Sequence, residues 1–189
     1  MVYTKSNFLT KTELDMVWRE VDFLSDKLMP PIETGGAIDD KTANFLKKNT
    51  GIFIERIMDT SFSAIHNSLG KITKEEFVKE VEGLHPAYNY LQRINRFSYL
   101  VNYYDKDDFY KAHKDSCVLS GLLFLYKEPK QFEGGELVFT DTGQTITPEN
   151  NLFVLFPSYL KHQVNPVIMD EAGTGYGRYS IAGFLTINN

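Results

Sequence analysis

The sequence predicts an α+β domain in which residues 1–94 form helical support and residues 95–189 form a mainly antiparallel β core. Three observations predict it. Apolar residues recur at helical intervals before residue 70, while after residue 95 the pattern changes to short runs of Val, Ile, Phe and Tyr broken by Gly, Pro, Asn and Asp. The chain also has 189 residues with 42% hydrophobic and 24% charged residues, which suits one domain with one sizeable core.

The elements follow in order. Thr10 and Glu13 have capping-box spacing, Leu9 and Leu14 are placed as a hydrophobic staple, and Leu14, Val17, Trp18, Val21 and Leu28 mark one face. A helix over residues 11–28 is expected. A second helical pattern through Ile52, Ile57, Met58, Phe62 and Ile65 ends at Gly70, and Thr73 with Glu76 opens a shorter helix. Expected strands are 95–104, 117–126, 136–140, 144–147, 151–156, 162–168 and 178–187. So many short strands with regular turn signals predict a sandwich or jelly roll, with the helices on one outer face. The mobile loops expected are Met29 to Asp40 and Met169 to Gly177. The glycines at 173, 175 and 177 lie between two strands and open no helix, so they read as a hairpin tip and not a phosphate loop.

Charge and cysteine content narrow the function. A formal net charge of −5 leaves no basic footprint, which argues against nucleic acid as a partner. Cys117 is the single cysteine, so no intrachain disulfide or CxxC pair exists. No apolar run reaches the roughly 18 residues of a membrane span, and none of signal-peptide length opens the chain. The expectation is a soluble, cytoplasmic protein without a membrane partner.

The chemistry lies in the second half. His113 and Asp115 are two residues apart, a spacing that in extended backbone points both side chains to the same side. With a second histidine they would make the two-His, one-carboxylate face that leaves three positions of an octahedral ion open. An HxD tripeptide alone is a weak signal. His162 follows the apolar run at 152–156, where either a ligand or a satisfied core histidine fits. Arg178 and Ser180 share one face of the last strand. A buried arginine needs an anion, either a protein carboxylate or a dicarboxylate ligand. His66 and His85 read as structural, Cys117 as a small buried residue, and Asp105, Asp107 and Asp108 as a solvated loop in preference to a rim contacting a cationic substrate.

From about residue 97 to 186 the chain resembles the 2-oxoglutarate and Fe(II)-dependent dioxygenases, in particular their prolyl 4-hydroxylase-like branch. The similar stretches are Tyr104 through Tyr110 to His113 and Asp115, Phe132 to Phe139, Phe156 to His162 with Pro166 and Val167, and Arg178 to Ser180. The resemblance implies a double-stranded β-helix of jelly-roll, cupin-like form with the iron in one mouth. It implies His113, Asp115 and His162 as iron ligands. Arg178 would hold the distal carboxylate of 2-oxoglutarate, assisted by Ser180 and Tyr104. O2 would be consumed, with ascorbate as reductant, and the substrate would be a peptide or protein, with a free amino acid or other small molecule as the alternative. A non-enzymatic β-barrel binding module is the remote rival. Two features depart from the family pattern: a longer gap between His162 and Arg178, and Arg where collagen-type enzymes commonly carry Lys. The N-terminal half is similar only through its helices and the segment from Asp40 to Leu46.

Overall fold

The computed structural model describes residues 2–36, 38 and 44–188. The elements are β1 (Tyr3–Lys5), α1 (Lys11–Leu24), β2 (Lys47–Lys48), β3 (Thr50–Phe53), α2 (Ala64–Leu69), α3 (Glu75–Val81), β4 (Arg96–Tyr104), β5 (Phe109–His113) and β6 (Leu119–Leu125). They continue as β7 (Glu133–Gly134), β8 (Leu137–Phe139), β9 (Gln144–Ile146), β10 (Leu152–Pro157), β11 (His162–Val164), β12 (Val167–Ile168) and β13 (Arg178–Thr186). The major sheet runs β1-β10-β6-β13-β4-β3, the minor sheet β2-β5-β11-β8-β9, and β12 pairs with β7. The strand pairs among the described residues are all antiparallel.

Period-two alternation divides the major sheet between two interiors. Tyr179, Ile181 and Leu185 of β13, with Phe153 and Leu155 of β10, meet α1, α2 and α3 in the larger core. Val154 and Phe156 turn the other way and meet Leu137, Phe139 and Ile146 of the minor sheet. Arg178 and Ser180 share that inner side, so the helices support a sandwich whose functional groups face inward. No helix among the described residues is long and apolar enough to cross a membrane.

Helix α1 begins as its sequence dictates: Glu13 N–H donates to Thr10 Oγ1 and Thr10 N–H donates to Glu13 Oε2. It stops at Leu24, and residues 25–27 tighten into a 3-10 turn, so the expected extension to residue 28 is corrected. The pattern from Ile52 to Gly70 is not one helix. Residues 50–53 pair with β4, and only 64–69, capped by Ser63, are α-helical. Helix α3 starts at Glu75 without a side-chain cap, because the Thr73 hydroxyl donates back to the Gly70 carbonyl. The strand expected over 162–168 divides at Asn165 and Pro166, where proline has no N–H for a ladder.

The 169–177 segment is not a hairpin tip, since β12 and β13 belong to different sheets. Lys106 Nζ donates to the Asp170 carbonyl, and Gly173 N–H donates to Asp105 Oδ2. In the same place the solvated-loop reading holds for exposed Asp107 and is corrected for Asp105 and Asp108. Asp108 is buried, accepts from Asp105 N–H and pairs with Lys48 at 3.1 Å. Of the other expected loop, residues 37, 39 and 40 lie outside the described residues, as do 41–43 of the segment from Asp40 to Leu46.

Asn151 anchors the N-terminal segment to the sandwich. It is buried with φ +61°, and its amide accepts from Leu9 N–H and donates to Leu9 O, both at 2.8 Å. Asn151→Ala is expected to cost about 2–4 kcal/mol, because it orphans two buried backbone groups and loses tolerance of the left-handed backbone. Urea denaturation at unchanged m value checks this, and a loss below ~0.5 kcal/mol would contradict it.

Candidate metal centre

Two neighbouring strands of the minor sheet bring the histidines together. His113 ends β5, His162 begins β11, and the two are direct partners in the ladder, with ring centres 4.3 Å apart. Asp115 follows β5 and is held by its N–H donating to the Ser158 carbonyl. Its two oxygens lie 3.7 Å from His113 Nε2 and 3.7 Å from His162 Nε2. That is too long for hydrogen bonds. One ligand atom from each residue lies within 4.8 Å of the others, a grouping that could hold one ion.

The imidazoles are set for metal donation. His113 Nδ1 is 2.8 Å from the Lys111 carbonyl and His162 Nδ1 is 2.9 Å from the Leu160 carbonyl. A carbonyl only accepts, so each Nδ1 carries the proton and each Nε2 lone pair turns toward Asp115. Burial, then the neighbouring His162, pushes His113 down to about 4, which keeps it neutral and able to donate.

Sequence reasoning missed a polar chain behind Asp115. Ser120 Oγ donates to Asp115 Oδ2 at 2.5 Å and lies 2.8 Å from Ser158 Oγ, which is 3.0 Å from Cys117 Sγ. A signal existed in Ser120, a hydroxyl inside the apolar run of β6. Ser120→Ala is expected to weaken Fe(II) binding about 10- to 100-fold, the usual effect of removing an outer partner of a ligand. Anaerobic Fe(II) titration reads this, and an unchanged affinity would contradict it.

Arg178 opens β13 opposite Tyr104 of β4 and is wholly buried. Its guanidinium lies between the Tyr104 and Phe124 rings, 4.8 and 4.7 Å from their centres. Nη1 donates to Ser180 Oγ at 3.4 Å, whereas Nε and Nη2 have no hydrogen-bond partner among the described residues. No carboxylate pairs with it among the described residues; nearby Glu136 accepts instead from Asn165. Burial pushes Arg178 down to about 10, while adjacent Tyr104 acts in the opposite direction. Gly135, at φ +68°, makes room for the side chain, since a Cβ there would stand 2.7 Å from Arg178 Cδ.

One cavity of about 710 Å³ is lined by His113, Asp115, His162, Arg178, Ser180 and Tyr104. Two nitrogens and one carboxylate suit Fe(II), and the orphaned donors of Arg178 suit the far carboxylate of a dicarboxylate such as 2-oxoglutarate. The residues present therefore fit both groups. The other histidines lie elsewhere: His66 meets Tyr99 and Phe97 edge-on, and His85 Nε2 contacts the Tyr159 hydroxyl.

A jelly-roll sandwich that groups two histidines and one carboxylate beside a buried arginine is the arrangement expected of a non-haem iron oxygenase. Residues 99–186 match the family model described as the 2OG-Fe(II) oxygenase superfamily, and all six residues lie within this stretch. The chain is 24% identical over 168 residues to an uncharacterized PKHD-type hydroxylase of Synechocystis sp., an alignment covering 77% of the chain and 55% of that relative. It thus spans about half the length of that curated relative. In fold it is similar to a Pseudomonas putida prolyl-4-hydroxylase, at TM-score 0.66 and 18% identity over 100% of this chain and 93% of that one. A prolyl hydroxylase from Trichoplax adhaerens, solved with a hypoxia inducible factor peptide fragment, gives TM-score 0.66 at 16% identity, covering 98% and 83%.

Proposed function

We propose that this protein is an Fe(II)- and 2-oxoglutarate-dependent dioxygenase that hydroxylates an unactivated C–H bond in a peptidyl, prolyl-type substrate. The observation that carries the proposal is the pair of guanidinium nitrogens on wholly buried Arg178 that have no hydrogen-bond partner among the described residues, in the same cavity as His113, Asp115 and His162. When bound, Fe(II), 2-oxoglutarate and O2 supply the oxidation, with succinate and CO2 released and one oxygen atom left as the substrate hydroxyl.

The chain's residues bind and orient. His113, Asp115 and His162 hold the metal. Arg178 and Ser180 orient the distal carboxylate, with Tyr104 against the guanidinium. The apolar walls at Leu122, Leu137, Phe156 and Val164 exclude water from the reacting groups. Support for a peptide comes from the Trichoplax adhaerens relative in fold, which was solved with a peptide fragment. Exposed Ile38 and Phe45, bridged to one another beside the cavity, offer an apolar lip. The single Cys117 suits a reducing, cytoplasmic setting, and ascorbate as reductant belongs to the same proposal.

Incubation with Fe(II), 2-oxoglutarate, O2 and a panel of proline-containing peptides tests this. Succinate and a peptide mass gain of one oxygen are expected. Oxygen gain confined to free amino acids would replace the peptide reading, and absence of succinate throughout would remove the activity.

A further inference from the structure

A second buried cation faces the same cavity. Lys47, in β2 at the edge of the minor sheet, is 3% exposed. Its ammonium donates to Thr34 Oγ1 at 2.9 Å, while the Thr34 hydroxyl lies 3.1 Å from the Pro31 carbonyl and donates there. Two of the three ammonium protons have no acceptor among the described residues, and no carboxylate pairs with Lys47 there. Neighbouring Lys48, by contrast, has Asp108.

Position gives this lone charge its meaning. Lys47 and Thr34 line the cavity that contains the metal-site residues. The ammonium is 5.2 Å from the centre of the Tyr110 ring, which stacks on the His113 imidazole with centres 3.6 Å apart. Gly36 closes against the same tyrosine, since a Cβ there would meet its hydroxyl at 2.5 Å. Burying an ammonium without a counter-ion is costly, and burial pushes Lys47 down to about 8. Under the function proposed above, the distal carboxylate of the co-substrate is taken by Arg178, on the other sheet, and Asp115 already faces the metal position. Lys47 is left for an anion that neither supplies.

We propose that Lys47 and Thr34 form a subsite for a carboxylate of the primary substrate, so that the hydroxylated molecule carries an acidic group near its reacting carbon. This rests on the oxygenase reading. The carboxylate belongs either to an acidic residue beside the target residue of a peptide or to the free end of a small acid. Three rotatable ammonium donors suit a carboxylate approached from varied directions.

The test uses two probe pairs, each differing in one carboxylate: L-proline against L-prolinamide, and acetyl-Glu-Pro-amide against acetyl-Gln-Pro-amide. Each is titrated anaerobically into the Fe(II) and 2-oxoglutarate-loaded protein, and binding is read from the shift of the metal-to-ligand absorption band. In at least one pair the carboxylate is expected to bind about 10- to 100-fold tighter than its amide. Which pair responds separates the two sources. That preference should collapse toward unity in Lys47→Met and Lys47→Gln and survive in part in Lys47→Arg. Equal binding within both pairs, absence of binding by all four probes, or a preference retained in both neutral variants would overturn the proposal. So would a loss of 2-oxoglutarate binding in Lys47→Met in place of the pair preference. A wild-type protein that hydroxylates prolyl peptides without the preference sinks the Lys47 subsite alone. One that shows the preference but oxidises another kind of acid sinks the prolyl reading alone.

Discussion

Arg178→Ala is expected to weaken 2-oxoglutarate binding by about 2–5 kcal/mol, roughly 30-fold to several thousand-fold. The guanidinium is wholly buried between two rings, and two of its nitrogens have no hydrogen-bond partner among the described residues, so a carboxylate bound there would be fully desolvated. Its loss would leave that carboxylate buried and unpaired. Fe(II) affinity should scarcely change, because Arg178 is not among the three grouped metal-binding side chains. Arg178→Lys should fall between wild type and Ala, keeping the charge but losing the planar fork and its stacking on Tyr104 and Phe124. Anaerobic titration of 2-oxoglutarate into the Fe(II) protein, followed by the charge-transfer band, measures each variant. Unaltered affinity in Arg178→Ala, accompanied by lower thermal stability, would make the arginine structural. The opposite stability outcome is expected: removing a buried cation that has no carboxylate partner among the described residues relieves a desolvation cost in the ligand-free protein.

The next largest effect is expected at the three side chains grouped to hold the metal. His113→Ala, Asp115→Ala and His162→Ala should each reduce Fe(II)-dependent succinate formation below about one hundredth of wild type, since disturbing even an outer partner of a ligand costs about 10- to 100-fold. The fold should persist. The histidine Nδ1 atoms bond only to carbonyls two residues away in sequence, and Asp115 contributes little to either core cluster. Metal content after gel filtration and far-UV circular dichroism separate loss of ligand from loss of structure. Near-wild-type turnover in any of the three would remove that residue from the assignment.

The site was legible in the sequence where alternation alone fixes direction. Arg178 and Ser180 share a face because they are two apart on a strand whose intervening residues are apolar, and the structure places both on the inner side. The pairing of His113 with His162 was not legible. It depends on β5, whose residues Phe109–His113 are too short and mixed to announce a strand, and on ladder register that no local pattern carries. Ser120 stands out as a hydroxyl in an apolar run, but no local pattern names Asp115 as its partner. The stretch around Ile52 was misread as helix because short apolar runs fit either period, and pairing with β4 decides between them. Asp108 looked like loop charge because sequence does not reveal that Lys48 crosses to meet it. Lys47 gave no signal either, since the inference drawn from it rests on the lack of a carboxylate beside it among the described residues.

The position of β13 has a consequence for how the molecule is made. In space it lies between β4 and β6, with nine and seven residue pairs in register. In synthesis it follows both. Until it emerges, β4 and β6 each present an unpaired edge, the kind of surface that seeks strands of other chains. Its arrival must join partners made many residues earlier, a long-range closure that slows folding. The strand that fills this gap is the one that brings in Arg178. The cavity lined by Arg178 therefore matures together with the centre of the major sheet, and under the proposed function a chain arrested before β13 would lack the arginine assigned to 2-oxoglutarate and be open to aggregation.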